Sequence, residues 1–171
     1  MTNMQDDAFW DAPAQEPLAP RVGRRSRGAR AATKGERVET RGRARALQAL
    51  YAADLRDITQ LRKIASHVFD DLSIEADERA FASRLVATVA DKGAALDDEL
   101  AQVTNNWRLE RLGAIERSVL RLAAAELDRD ETPVKVVLQE AVHLAERYGT
   151  TRSARFVNGV LDAYARRLGK L

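Results

Sequence analysis

The chain contains no cysteine, and that one absence removes disulfides, thiolate metal sites and cysteine nucleophiles together. Its two histidines, His67 and His143, fall far apart on separate helical patterns. Solvated or half-buried imidazoles are the expected reading, not a metal pair. No apolar run reaches the roughly eighteen residues a membrane-spanning helix needs. The first twenty residues carry no Lys or Arg, so the basic start of a secretory signal is missing. No period-2 alternation or β-rich run appears, and strands are not expected. Phosphate-loop, dinucleotide, nucleophile-elbow and zinc-protease motifs are all absent. The acidic pairs Asp70-Asp71 and Asp97-Asp98 are adjacent on helices, so they face different directions and read as solvated charge rather than an acid–base couple. The expectation from these absences is a cytoplasmic protein that is not an enzyme and carries no cofactor or metal.

The 171 residues, 45% hydrophobic and 32% charged, suit one domain or two small subdomains with a core of its own. A net charge of +2 hides a steep asymmetry along the chain. Residues 1–20 have a net charge of −4, residues 21–45 a net +8 and residues 46–171 a net −2. A basic block between an acidic leader and a near-neutral globule is the pattern of a nucleic-acid arm, or of a solubilising disordered tail. Residues 1–40 hold Pro13, Pro17, Pro20 and a Gly/Arg-rich run with few large apolar residues. They cannot bury enough surface to offset ordering entropy and are expected to be a disordered leader. The sequence does not say where its Phe9-Trp10 pair would dock.

From about Arg41 the pattern is helical. Leu47, Leu50, Tyr51 and Leu55 line one face of a first helix, with Arg41, Arg45 and Gln48 on another. Leu61, Ile64, Ala65, Val68, Phe69 and Leu72 give a second stripe. A long third helix runs from about Ala76 toward Gln102, with Gly93 as a place for a bend, and Asn105-Asn106-Trp107 mark a break. Leu112 to Leu127 is the most apolar helix, expected to be central. Thr132 then reads as an N-cap with Pro133 in the first turn. Gly149 is expected in the left-handed conformation that ends this helix, and Ser153 is expected to cap the last one. Gly159 lies mid-helix, where glycine costs about 1 kcal/mol relative to alanine, and close helix–helix approach is the expected reason. The fold class is all-α, six or seven helices in two small packed bundles: residues 41–105 as one subdomain and 106–171 as the other.

Three ordered blocks carry more than periodicity. They are Ala46-Leu47-Gln48-Ala49-Leu50-Tyr51, Ile115-Glu116-Arg117-Ser118-Val119-Leu120-Arg121, and the run from Pro133 through Tyr148-Gly149 to Phe156-Val157-Asn158-Gly159-Val160-Leu161. Together they resemble the NusB family of bacterial transcription antitermination factors, over about Arg41 to Leu168.

The resemblance implies an RNA-binding protein that takes up boxA-type single-stranded RNA with the ribosomal protein NusE and joins elongating RNA polymerase, notably on ribosomal RNA operons. It places Arg43 on the family's arginine, with Arg41, Arg45 and Gln48 beside it, and Phe156 on the aromatic that stacks on a base. Arg152, Ser153, Arg155 and Asn158 complete that RNA surface, on a helix expected to adjoin the first. Glu39 departs from the family, where another basic residue is common; Arg152 replaces a common acid. Tyr51, Glu110, Glu116 and Arg117 match the NusE surface, where glutamates suit a basic partner. A second reading is a helical protein–protein adaptor without RNA contact, and a homodimer stays open. Related helical modules also occur fused to RNA methyltransferases, but a chain without cysteine or a glycine-rich nucleotide site is expected to be a free-standing binding protein.

Overall fold

The computed structural model describes residues 36–104 and 108–171. The leader before Glu36, with Phe9-Trp10 and most of the basic run, and the expected break at Asn105, Asn106 and Trp107 lie outside the described residues. Six α-helices follow in order: α1 Val38–Asp54, α2 Leu61–Leu72, α3 Ala76–Val103, α4 Ala114–Arg129, α5 Val134–Tyr148 and α6 Ser153–Arg167. Short 3₁₀ turns at Ile58–Gln60 and Leu109–Arg111 lead into α2 and α4. Among the described residues there is no strand.

The most apolar stretch becomes the hub, as its pattern requires. Every residue of α4 from Ser118 to Leu127 is buried except Arg121, because α1, α3, α5 and α6 all pack against it. The three alanines Ala123-Ala124-Ala125 let those neighbours approach from several sides, and each is at most 3% exposed. Around this helix one continuous core gathers Leu47 and Leu50 of α1, Leu61 and Phe69 of α2, Leu85 and Leu100 of α3, Val137 and Leu144 of α5, and Val157, Leu161 and Tyr164 of α6.

Several local details differ from the sequence expectation. Helix α1 starts at Val38, one turn earlier than Arg41. Its buried stripe is Ala46, Leu47, Ala49, Leu50 and Ala53, while Tyr51 and Leu55 turn outward. α3 runs unbroken through Gly93. Thr132 does not cap α5: its hydroxyl donates to Glu126 Oε1 at 2.8 Å, and Pro133 stands at the cap position. Gly149 is extended, at φ −96°, not left-handed. A Cβ there would lie 2.5 Å from Ser153 Oγ and 2.6 Å from the carbonyl oxygen of Ala145, so the turn needs glycine for space. The left-handed helix ends belong instead to Ser73 after α2 (φ 49°), Asp130 after α4 (φ 55°) and Gly169 after α6 (φ 68°). Lys170 donates to the carbonyl of Leu127 at 3.0 Å, a cation at the negative end of the α4 dipole.

Candidate RNA and partner surfaces

The basic face of α1 comes from the run Arg41-Gly42-Arg43-Ala44-Arg45. In an α-helix a two-residue step turns about 200°, so Arg41 and Arg45 share one face and Arg43 points nearly opposite. The structure follows that rule. Arg43 is 4% exposed and forks onto Glu126, with Nε to Oε2 at 2.9 Å and Nη2 to Oε1 at 2.5 Å. Glu140 lies 3.7 Å from its Nη1, and the Phe81 ring centroid 5.1 Å from its Cζ. Burial alone would lower the guanidinium pKa, but the hydrogen bond and charge of Glu126, with Glu140 and Glu39, raise it. The expectation that Arg43 meets RNA phosphate therefore fails here: its donors point into the core.

Arg41 and Arg45 stay at the surface, but both are tied to one acid. Glu78, on the first turn of α3, takes Arg41 Nε on one oxygen at 3.1 Å and Arg45 Nε on the other at 2.6 Å. Arg41 Nη1 also donates to the carbonyl of Glu36 at 2.6 Å, and Arg45 Nη1 to Gln48 Oε1 at 3.2 Å. Gln48 is thus a brace for Arg45. The Arg41 and Arg45 side chains are 20% and 26% exposed.

On α6 the expected residues divide. Arg152, Arg155 and Asn158 are exposed, and Phe156 is half-buried with part of its ring against the core. Ser153 is 2% exposed. Its hydroxyl accepts the Thr150 N–H at 2.8 Å and donates to Glu116, so it holds the α5–α6 turn onto the start of α4 instead of facing RNA. Gly159 is exposed, and a Cβ there would meet nothing within 4 Å. Close helix–helix approach is not its reason. The glycine that does sit in a tight crossing is Gly42, where a Cβ would lie 2.7 Å from Phe81 Cδ1. The two basic helices do not pack mainly on each other: α6 packs chiefly on α3, α4 and α5, and α1 chiefly on α2, α3 and α4.

The residues expected to meet a protein partner also divide. Tyr51 is 37% exposed, and Leu55 at 62% and Ile58 at 39% extend an apolar strip beside it. Glu110 is exposed, while Glu116 is half-buried and accepts from Ser153. Arg117 is a staple rather than a free cation. It forks onto Asp54 at 2.9 and 2.5 Å and donates to the carbonyls of Leu109 at 3.0 Å and Leu112 at 2.8 Å. Arg121, one turn on, bridges Asp54 at 2.9 Å to Asp97 of α3 at 2.7 Å. Burial pushes the Asp54 carboxyl up, but the hydrogen bond and charge of Arg117, then Arg121, hold it below the usual carboxylate range.

The NusB family model matches residues 40–166. The chain belongs to the NusB family. A transcription antitermination protein NusB from Sorangium cellulosum (strain So ce56) is 43% identical over 131 residues, which cover 76% of this chain and 93% of that one. Its counterpart from Anaeromyxobacter dehalogenans (strain 2CP-1 / ATCC BAA-258) is 42% identical over 134 residues, 74% and 89% of the two chains. T. maritima NusB superposes with a TM-score of 0.70 at 32% identity, over 75% of this chain and 90% of that one. A chain in the crystal structure of antitermination factors NusB and NusE in complex with dsRNA superposes with a TM-score of 0.70 at 28% identity, over 76% and 97%.

Within this NusB fold the sequence reading missed the carboxylates that organise the basic residues, Glu78, Glu126 and Asp54. The signal for Asp54 was present: Arg117 and Arg121 are four apart and share a face. The same signal existed for Glu78, since Arg41 and Arg45 are also four apart on one face. The acceptors themselves were hidden, because Glu78 lies 33 and 37 residues from its arginines and Asp54 63 and 67 from its own. Among the described residues no cluster of His, Asp or Glu is placed to hold a metal ion, and no helix is long and apolar enough to cross a membrane.

Proposed function

We propose that this chain is a cytoplasmic transcription antitermination factor that works by binding rather than catalysis. It takes up boxA-type single-stranded RNA together with a NusE-type ribosomal protein, and the assembly helps elongating RNA polymerase read through terminators, notably in ribosomal RNA operons. The observation that carries this reading is the chain in the NusB–NusE–dsRNA structure that matches 76% of this one. On this chain Arg41 and Arg45 supply charge, braced by Glu78 and Gln48. Arg152 and Arg155 supply charge on α6, with Phe156 for stacking and Asn158 for hydrogen bonds. The exposed strip of Tyr51, Leu55 and Ile58, edged by Glu110, suits a basic protein with an apolar contact of its own.

The adaptor reading draws on one observation: all three arginines of the α1 run are paired with Glu78, Glu126 or Glu140, which weakens their pull on phosphate. A salt titration of single-stranded boxA RNA binding, with and without the ribosomal protein, separates the two readings. RNA binding through phosphate gives a log–log salt slope of about −0.7 per contact on a single strand. Phe156→Ala then costs about 1–3 kcal/mol with the slope unchanged. Tight binding of the ribosomal protein with no RNA affinity in any salt leaves the adaptor.

A further inference from the structure

We propose that Gly159 is a specificity-determining position of the RNA surface: its missing side chain keeps the outer face of Phe156 open to an unpaired nucleobase. The proposal rests on the stacking role given to Phe156 above.

Gly159 lies in the middle of α6, Ser153–Arg167, where glycine weakens a helix relative to alanine. Inside a fold that loss is ordinarily offset in one of two ways. Either another element packs where a Cβ would stand, as Phe81 does at Gly42, or the backbone takes a conformation that other residues avoid. Neither holds at Gly159. A Cβ there would meet nothing within 4 Å, and the residue has ordinary helical geometry inside α6. The glycine is therefore explained by something that approaches the helix from outside.

The direction of helical side chains says what a residue at 159 would cover. Each Cα–Cβ bond tilts toward the helix N-terminus, so a side chain lies over the positions three and four residues before its own. From 159 those positions are Phe156 and Arg155. Phe156 is half-buried, its inner part against the core, and a Leu or Met at 159 would lie across the part left open. Arg155 and Asn158, both exposed, border the same patch. One turn further on, Asp162 is paired with Arg166 at 2.8 Å, so the nearest acid on this face already has a counter-charge. An open aromatic face beside a guanidinium and a side-chain amide fits a flat, apolar-faced ligand with hydrogen-bonding edges and an anionic linkage. That describes one unpaired nucleotide.

The test uses the full chain and a fluorescein-labelled single-stranded boxA RNA, with Gly159→Ala, Gly159→Leu and Phe156→Ala beside wild type. Gly159→Ala raises the melting temperature by roughly 2–4 °C, the value of mid-helix propensity for a chain of this size. Gly159→Leu melts no lower than wild type yet binds RNA about tenfold more weakly, the size expected for one blocked base–aromatic stack. Its salt slope stays that of wild type, because no phosphate contact is touched. If Gly159→Leu binds RNA as wild type while Phe156→Ala does not, the stacking role stands and the proposal for Gly159 falls. If Phe156→Ala also binds as wild type, the stacking role itself is wrong. A lower melting temperature for Gly159→Ala means the glycine serves packing and overturns the proposal. So does a Gly159→Leu protein that loses the ribosomal protein and keeps RNA.

Discussion

Arg43→Leu removes the only guanidinium that pairs with Glu126 among the described residues, and the consequence separates a core role from an RNA role. In wild type the two side chains are each 4% exposed and joined by hydrogen bonds of 2.9 and 2.5 Å. After the substitution Glu126 keeps the Thr132 hydroxyl at 2.8 Å, and Glu140 keeps the Thr40 hydroxyl at 2.9 Å, but no buried cation is left between them. Breaking a buried ion pair from one side costs about 3–5 kcal/mol, because the remaining charge is stranded away from water. For a domain of this size each kcal/mol moves the melting temperature by about 2–4 °C, so the expected fall is roughly 6–20 °C. Glu126→Leu falls similarly. The double variant Arg43→Leu/Glu126→Leu recovers most of the loss, since well-packed apolar residues replace a buried pair at little net cost. The assay is thermal melting followed by circular dichroism, with RNA titrations well below the melting range. There Arg43→Leu keeps the wild-type salt slope. A variant that melts with wild type but loses about 0.7 from that slope would refute the core role and return Arg43 to the phosphate backbone.

Two other outcomes test the packing and the Asp54 network. Asp54 has a folded pKa below its ordinary value of 3.8, so its contribution to stability is full above that value and is lost as pH falls through the lower folded one. The gap in stability between wild type and Asp54→Asn therefore stays constant near neutral pH and closes on acidification below about 4; a pH series of urea melts with a gap that never changes would remove Asp54 from the network. Gly42→Ala places a methyl group 2.7 Å from Phe81 Cδ1 and is expected to destabilise by about 1–3 kcal/mol through overpacking, and a variant more stable than wild type would show that the ring moves aside freely.

What the sequence determined by itself is the helical plan. Apolar spacing along Leu61 to Leu72 and Leu112 to Leu127 is a local property, and a stripe with that period buries the same face whatever it packs against. The three ordered blocks also placed the chain in its family without any coordinates. Tertiary structure alone decided what the polar residues do. Arg43 and Arg45 are two residues apart, yet one meets Glu126, 83 positions away, and the other shares Glu78 at the surface. Ser153 closes onto Glu116 across 37 positions, joining residues that the sequence reading had assigned to separate surfaces. Gly42 and Gly159 look alike in their helices, and only the neighbours tell them apart: Phe81 fills the space at one, and nothing fills it at the other. A charge or a missing side chain leaves no periodic mark along the chain. Its role depends on which distant group the fold sets beside it, because an ion pair or a close approach acts over only a few ångströms of space, at whatever separation in sequence.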